Sequence, residues 1–131
     1  MITRSVKGSL VLATGLVLAA LTLAYASGQG WIDTDMDKRL VQALIGAILV
    51  LFGNAMGKRA PDEAARPEPH PGMSAARRFF GLALVVGGLV HALSWLFAPL
   101  SMANWLSMGA VVLAMLAGLA RVAMTLRKPA D

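Results

Sequence analysis

Residues 40–59 read LVQALIGAILVLFGNAMGKR, and this stretch decides the fold. Its first part is about as apolar as lipid. It ends in the small and polar run GNAMG at residues 53–57, and Lys58 and Arg59 follow at once. A helix needs about 20 predominantly apolar residues to cross the hydrocarbon core of a bilayer. The stretch therefore predicts a membrane-spanning helix with a small-residue end and a basic stop.

Three other segments match this one in length and apolar character, so the sequence predicts an all-α membrane protein with four transmembrane helices. The expected spans are about residues 8–26, 40–57, 79–98 and 102–120. Short connections join the first to the second and the third to the fourth, which predicts two antiparallel hairpins. Residues 58–78 form the linker between them. We expect residues 1–131 to form one membrane domain.

The composition agrees with this prediction. The chain has 131 residues, of which 57% are hydrophobic, and a mean hydropathy of +0.67. Soluble domains are about 45–50% apolar, and a chain this short could not hide so much apolar surface in a core of its own. The lipid bilayer is therefore the expected partner. The net charge of +5 lies mostly between the apolar runs, so it reflects membrane topology, and no nucleic-acid partner is expected.

The distribution of basic residues predicts the orientation. Two basic residues, Lys38 and Arg39, lie on the side of the first short loop. The other side carries ten: Arg4, Lys7, Lys58, Arg59, Arg66, Arg77, Arg78, Arg121, Arg127 and Lys128. Cytoplasmic segments of membrane proteins carry the excess of Lys and Arg. Both termini and the linker are therefore expected in the cytoplasm, and the protein is expected in the bacterial inner membrane.

The N-terminal span has a second interpretation. A basic start, an apolar run and Ala24-Tyr25-Ala26 before Ser27 are also typical of a cleavable signal peptide. The apolar run is long for a signal peptide, and cleavage would leave three spans. The four-span interpretation is preferred.

The linker is rich in proline, and its PEPHP run at residues 67–71 is expected to be extended and solvated. Ser74 is the expected N-cap of the third helix, since a serine hydroxyl can accept from the first free N–H groups of a helix. Arg121 is expected one turn inside the apolar end of the fourth span, with its guanidinium reaching the headgroups.

Small residues mark the expected helix-packing faces, because helices in lipid associate through close approach of their backbones. These faces comprise Gly53 and Gly57 in the second span, Ala83, Gly87 and Gly88 in the third, and Ala110, Ala114 and Gly118 in the fourth. The interpretation preferred is a compact four-helix bundle. The alternative, that one face binds another protein, has the same spacing and stays open.

Polar residues inside membrane spans are candidates for function, and the spans hold three: Gln42, Asn54 and His91. Gln42 and His91 are expected at similar depth in antiparallel helices, so a hydrogen bond between them would satisfy two groups that are costly to bury. The alternative makes His91 a proton relay or a ligand contact. Asn54 is expected to cap freed carbonyls or to reach the third helix.

Catalytic and metal-binding constellations are not visible. The chain has no Cys, which excludes disulfides, thiolate nucleophiles and Cys-ligated metals. His70 is expected to be solvated, and Met108 and Met115 are expected to fill the core. Ser94, Ser101 and Ser107 have no triad companions. We therefore predict no catalytic, cofactor-binding or metal-binding residues and no cofactor.

A short motif resembles the SdpI type of small bacterial membrane protein. It consists of Gly53-Asn54 with Gly57-Lys58, then Arg77-Arg78-Phe79 with Gly81 opening the next span, and the similarity covers about residues 40–98. The resemblance implies a basic loop between two helices and, for some members, immunity to a toxin or signalling through a partner regulator. The chain departs from the pattern in the loop, where PEPHP replaces the family's Asn and Arg-Thr-Pro-Trp run.

The sequence thus favours a non-enzymatic protein that binds another membrane protein, as an accessory, assembly or immunity-type subunit, or that associates with itself. The basic residues at the expected cytoplasmic interface, Lys58, Arg59, Arg77, Arg78 and Arg121, fit this topology. The alternative is a small transporter or channel, in which Gln42, Asn54 and His91 would line a path.

Overall fold

The computed structural model describes residues 4–58, 70 and 72–127 and contains four α-helices. These are α1 (Arg4–Gly28), α2 (Thr34–Met56), α3 (Met73–Phe97) and α4 (Leu100–Leu126). Each is long and apolar enough to cross a membrane, which confirms the all-helical prediction and indicates a multi-pass membrane protein. Each helix begins before its predicted span, α1 and α4 also end beyond theirs, and α2 and α3 end one residue earlier than predicted.

The ends of the helices correct two local predictions. Met73 begins α3 inside the expected linker, and the N-cap is Gly72 in the left-handed conformation (φ 82°). Ser74 is therefore a residue of the first turn, so the prediction that it caps the helix is wrong. A left-handed residue turns the chain sharply into the helix, and glycine adopts it without steric cost. The α3–α4 connection is also tighter than expected, since Pro99 is already the N-cap of α4.

The loop between α1 and α2 is closed by local bonds. Gly30 has a positive φ of 73°, and the Trp31 backbone N–H donates to the carbonyl of Ala26 at 3.0 Å. The carboxylate of Asp33 accepts from the Met36 N–H at 2.7 Å and caps α2. This short connection brings α2 back toward α1.

The packing is concentrated on α3. Within the described residues, α3 packs against both α2 and α4, whereas α2 and α4 do not touch each other and α1 contacts only α2, over a short length. The half-buried residues Leu16, Ala19, Leu23 and Ala26 lie along one side of α1. The helices thus form a row in the order α1, α2, α3, α4, with α1 at one edge, a more open arrangement than a compact bundle.

Two pairs of glycines form the contact between α2 and α3. A Cβ atom on Gly46 would lie 2.7 Å from the carbonyl oxygen of Gly88, and one on Gly53 would lie 2.6 Å from that of Gly81. The reverse contacts are equally close, so the two backbones touch at both levels. In each helix the two glycines are seven residues apart, and they pair in antiparallel order. We call these two pairs the glycine seam.

The contact between α3 and α4 combines small residues with one aromatic ring. A Cβ atom on Gly87 would lie 2.8 Å from the Cβ of Ala114 and 3.3 Å from the carbonyl oxygen of Ala110. The ring of Phe80, which is buried, lies directly against Gly118. Ala110, Ala114 and Gly118 therefore face α3, where the sequence pattern placed a packing face.

Candidate functional site

The hydrogen bond predicted between Gln42 and His91 is confirmed. The Nε2 atom of His91 lies 3.2 Å from the Oε1 atom of Gln42. His91 is buried, and Gln42 is half-buried on the facing side of α2. Because an amide oxygen only accepts, this bond fits the tautomer in which Nε2 carries the hydrogen. The Nδ1 atom of His91 is also buried and has no hydrogen-bond partner within the described residues.

Arg39 caps the end of α3, a role that the sequence analysis missed. Its Nη1 atom donates to the carbonyl oxygens of Trp95 at 2.7 Å, Leu96 at 3.3 Å and Ala98 at 3.0 Å. The last carbonyls of a helix have no partner within the helix, and a cation beside them also interacts favourably with the helix dipole. Arg39 lies seven residues before Gly46, so the two residues share one face of α2. This spacing was the available sign that Arg39 faces α3.

Trp95 joins α3 to α4 at the same level. Its indole N–H donates to the hydroxyl of Ser107 at 3.0 Å, and that hydroxyl donates to the carbonyl of Asn104 at 3.1 Å. Ser107 is buried almost completely. Its oxygen and its hydrogen are both engaged in bonds, so the structure gives this serine no free nucleophilic role.

These five residues form one cluster, which we call the polar layer: Arg39, Gln42, His91, Trp95 and Ser107. The polar layer connects α2, α3 and α4 near the loop-side ends of α2 and α3. None of its members is acidic. Its hydrogen bonds satisfy the last carbonyls of α3 and the buried polar side-chain atoms of the layer, except the Nδ1 atom of His91. This arrangement holds the three helices together.

The third polar candidate, Asn54, lies far from this layer. It is twelve residues beyond Gln42, which corresponds to about 18 Å along a helix. The glycine seam lies between the two positions. Asn54 is exposed, so the structure brings Gln42 and His91 together and leaves Asn54 at the opposite end of α2.

Asn54 lines a cleft between the end of α2 and the start of α3, with a volume of about 340 Å³. We call it the basic cleft. Lys58 and Arg78 flank it from the two sides, and both side chains are exposed. Gly53, Gly57 and Gly81 lie along it. The two backbones touch at Gly53 and Gly81, whereas the absence of a side chain at Gly57 leaves space open. The motif residues from 53 to 58, together with Arg78 and Gly81, thus meet in one place.

The other basic candidates occupy the same end of the molecule. Arg121 is exposed and lines a separate cleft of about 530 Å³ between α3 and α4, beside Phe79 and Met124. Arg77 is half-buried near the start of α3. Arg59 lies outside the described residues.

Two expectations about the remaining candidates are wrong. Met108 and Met115 are 54% and 40% exposed, so they do not fill the core and instead lie on the exposed surface of α4. His70, expected to be solvated, is half-buried, and its carbonyl accepts from the N–H of Met73 at 3.2 Å. Across residues 4–58, 70 and 72–127, no three His, Asp or Glu side chains are grouped so that they could hold a metal ion.

Comparison of the chain with protein-family models, with curated proteins and with solved structures finds no match. The resemblance to the SdpI type therefore stays a prediction.

Proposed function

We propose that this chain is a non-enzymatic protein of the bacterial inner membrane that binds another membrane protein, as an accessory, assembly or immunity-type subunit. The observation that carries the proposal is the exposure of α1. None of its membrane-spanning residues from Leu10 to Gly28 is buried within the chain. A whole transmembrane helix is thus left with surface for a partner.

The glycines strengthen this argument. In α2 and α3, each glycine would place a Cβ atom within 4 Å of the neighbouring helix. In α1, a Cβ atom on Gly8 or Gly15 would meet nothing within 4 Å. Small residues in transmembrane helices allow close approach of another helix. The unmatched glycines of α1 therefore support a partner helix outside this chain.

The geometry favours binding over the alternative of a transporter or channel. A path through the monomer would have to connect Gln42 and His91 with Asn54. The glycine seam lies between them and brings the α2 and α3 backbones into contact, which leaves no room for a solute between these helices. A path formed between copies of the chain would have to lie outside the contact between α2 and α3.

The test is purification of the full-length chain from native membranes in a mild detergent, with mass spectrometry of what accompanies it. We expect a membrane protein in stoichiometric amount. The variant Gly15→Leu, which fills the open face of α1, should lose this companion. The matched control Val17→Leu, which lies on the opposite side of α1 from Gly15 and is 59% exposed, should retain it.

Purification of the wild-type chain as a monomer, active alone in liposomes, would contradict the proposal. Recovery only with copies of itself would instead assign the open face of α1 to self-association. Solute flux in proteoliposomes that is lost in His91→Gln would favour the transporter.

The proposed orientation has its own test, because a chain without Cys is suited to single-cysteine labelling. In intact cells, a membrane-impermeant maleimide should label Gln29→Cys in the α1–α2 loop. It should label Lys58→Cys only after lysis, since we propose that this end faces the cytoplasm. The reverse pattern would invert the topology.

A further inference from the structure

The basic cleft has a polar lining and an apolar lining, which lie at successive depths along the helices. Toward the helix ends it presents the amide of Asn54, the ammonium of Lys58 and the guanidinium of Arg78. Further into the span it is walled by the apolar side chains of Leu82 and Val85. Its volume of about 340 Å³ lies within the range of small-molecule sites, about 300–1,000 Å³.

The polar lining selects an anion. Lys58 and Arg78 come from different elements and converge on one space, and guanidinium and ammonium groups are the usual protein ligands of phosphate. Within the described residues, the carboxylates are those of Asp33, Asp35 and Asp37, which lie at the far end of α2. No described carboxylate therefore neutralises the two cations of the cleft.

The apolar wall distinguishes a lipid from a free anion. Inorganic phosphate would gain nothing from Leu82 and Val85, whereas the glycerol and first acyl carbons of a phospholipid would cover them. The order of the lining, cations at the membrane surface and apolar side chains below, is the order of groups in a phospholipid. Basic pockets between transmembrane helices recognise the headgroups of anionic lipids in this way.

We propose that the basic cleft binds an anionic phospholipid, with its phosphate between Lys58 and Arg78 and Asn54 donating to a headgroup oxygen. Gly53 and Gly81 bring the two backbones into contact beside the cleft, and the absence of a side chain at Gly57 leaves the site open. This role is independent of the protein partner proposed for α1.

The experiment measures lipid binding to the full-length chain in detergent by native mass spectrometry, with phosphatidylglycerol and phosphatidylcholine as probes. We expect a clear preference for phosphatidylglycerol. The double variant Lys58→Gln/Arg78→Gln should weaken phosphatidylglycerol binding by about 10- to 30-fold, as expected for the loss of two basic contacts. The control Arg121→Gln/Arg127→Gln removes two charges from the same end and should change it less than about threefold.

A second variant separates the shape of the site from its charge. A Cβ atom on Gly57 would lie 3.8 Å from the Cα of Arg78, an ordinary contact. Gly57→Leu should therefore occupy the cleft while both cations and the helix packing remain. Phosphatidylglycerol binding should fall as in the double variant, with an unchanged circular dichroism spectrum.

Three outcomes would overturn the proposal. Equal binding of the two lipids by the wild-type chain would show that the cleft does not select an anionic lipid. An equal loss of phosphatidylglycerol binding in both double variants would show that binding depends on the general charge of this end of the protein and not on the basic cleft. Displacement of phosphatidylglycerol by millimolar inorganic phosphate would assign the cleft to a free anion.

Discussion

The helices α1 and α3 are both apolar enough to span a membrane, yet they have opposite surroundings. None of the α1 span is buried within the chain, whereas 39% of the α3 span is. Lipid solvates apolar side chains as well as another helix does, so hydrophobicity brings a segment into the membrane without determining what it packs against. Backbone contacts and polar pairs distinguish α3, and α1 has few of either.

The largest expected effect comes from breaking the glycine seam. Gly88→Leu would force a side chain into the carbonyl of Gly46, 2.7 Å from the position of its Cβ. We expect a loss of about 3 kcal/mol or more in the free energy of unfolding, the upper range for an overpacked contact. Unfolding by titration with sodium dodecyl sulfate measures it.

Gly15→Leu in α1 is the matched control for this change, since a Cβ atom there meets nothing within 4 Å. It should leave the unfolding of the isolated chain unchanged. A comparable loss in both variants would show that α1 is packed as closely as α3, and the contrast between them would disappear.

A smaller effect is expected at the cap of α3. Arg39→Met removes three donations to carbonyls at the helix end and should cost about 1.5–3 kcal/mol, as for hydrogen bonds from a charged group. Within the described residues, the side chain of the neighbouring Lys38 makes one interaction, an exposed ion pair with Asp35 at 4.0 Å. Lys38→Met should cost less than about 1 kcal/mol. Thermal unfolding in detergent distinguishes them, and equal effects would argue against a capping role.

The bond between His91 and Gln42 should contribute less again. A double-mutant cycle with His91→Leu and Gln42→Leu should give a coupling of about 0.6 kcal/mol and no more than about 1.7 kcal/mol, the range for hydrogen bonds between membrane helices. A coupling near zero would mean that the two side chains do not depend on each other. His91→Gln should retain abundance, and loss of activity in that variant would indicate a functional histidine.

The smallest effect is expected at Thr22 in α1. Its hydroxyl donates to the carbonyl of Leu18 in the same helix at 2.8 Å, on an exposed surface. Thr22→Val should change the free energy of unfolding by no more than about 0.5 kcal/mol. If partner recovery falls while stability is unchanged, this side of α1 belongs to the interface.

The sequence predicted the parts of the fold that depend on composition. Four apolar runs of sufficient length predict four helices. Gln42 and His91 were expected at similar depths in two antiparallel helices, and this expectation predicted their pairing. The glycine seam was only partly predicted. Gly53 and Gly88 were predicted as packing residues, whereas Gly46, which lies seven residues before Gly53, was not. The spacing of small residues identifies a packing face of a helix, but it does not identify the helix that packs against that face.

The remaining features depend on the meeting of distant segments. Arg39 was counted among the basic residues that set orientation. Its spacing from Gly46 places it on the side of α2 that faces α3, but the sequence does not indicate that the carbonyls of residues 95–98 lie within its reach. Likewise, Lys58 and Arg78 are separated in the sequence by the linker. Their convergence on one cleft results from the packing of α2 against α3, which the sequence alone does not reveal. The low burial of α1 was also not predictable, since its composition resembles that of the helices that do pack.

The repeat of the glycine pairs leaves an ambiguity that other residues resolve. If α2 slipped along α3 by seven residues, Gly46 would meet Gly81, or Gly53 would meet Gly88, and one close backbone contact would survive. Either slip would separate Arg39 from the end of α3 and Gln42 from His91. Polar residues at an apolar helix contact commonly specify register in this way. The polar layer thus selects one register between α2 and α3, because its hydrogen bonds between these two helices form in that register and would be lost in either slipped one.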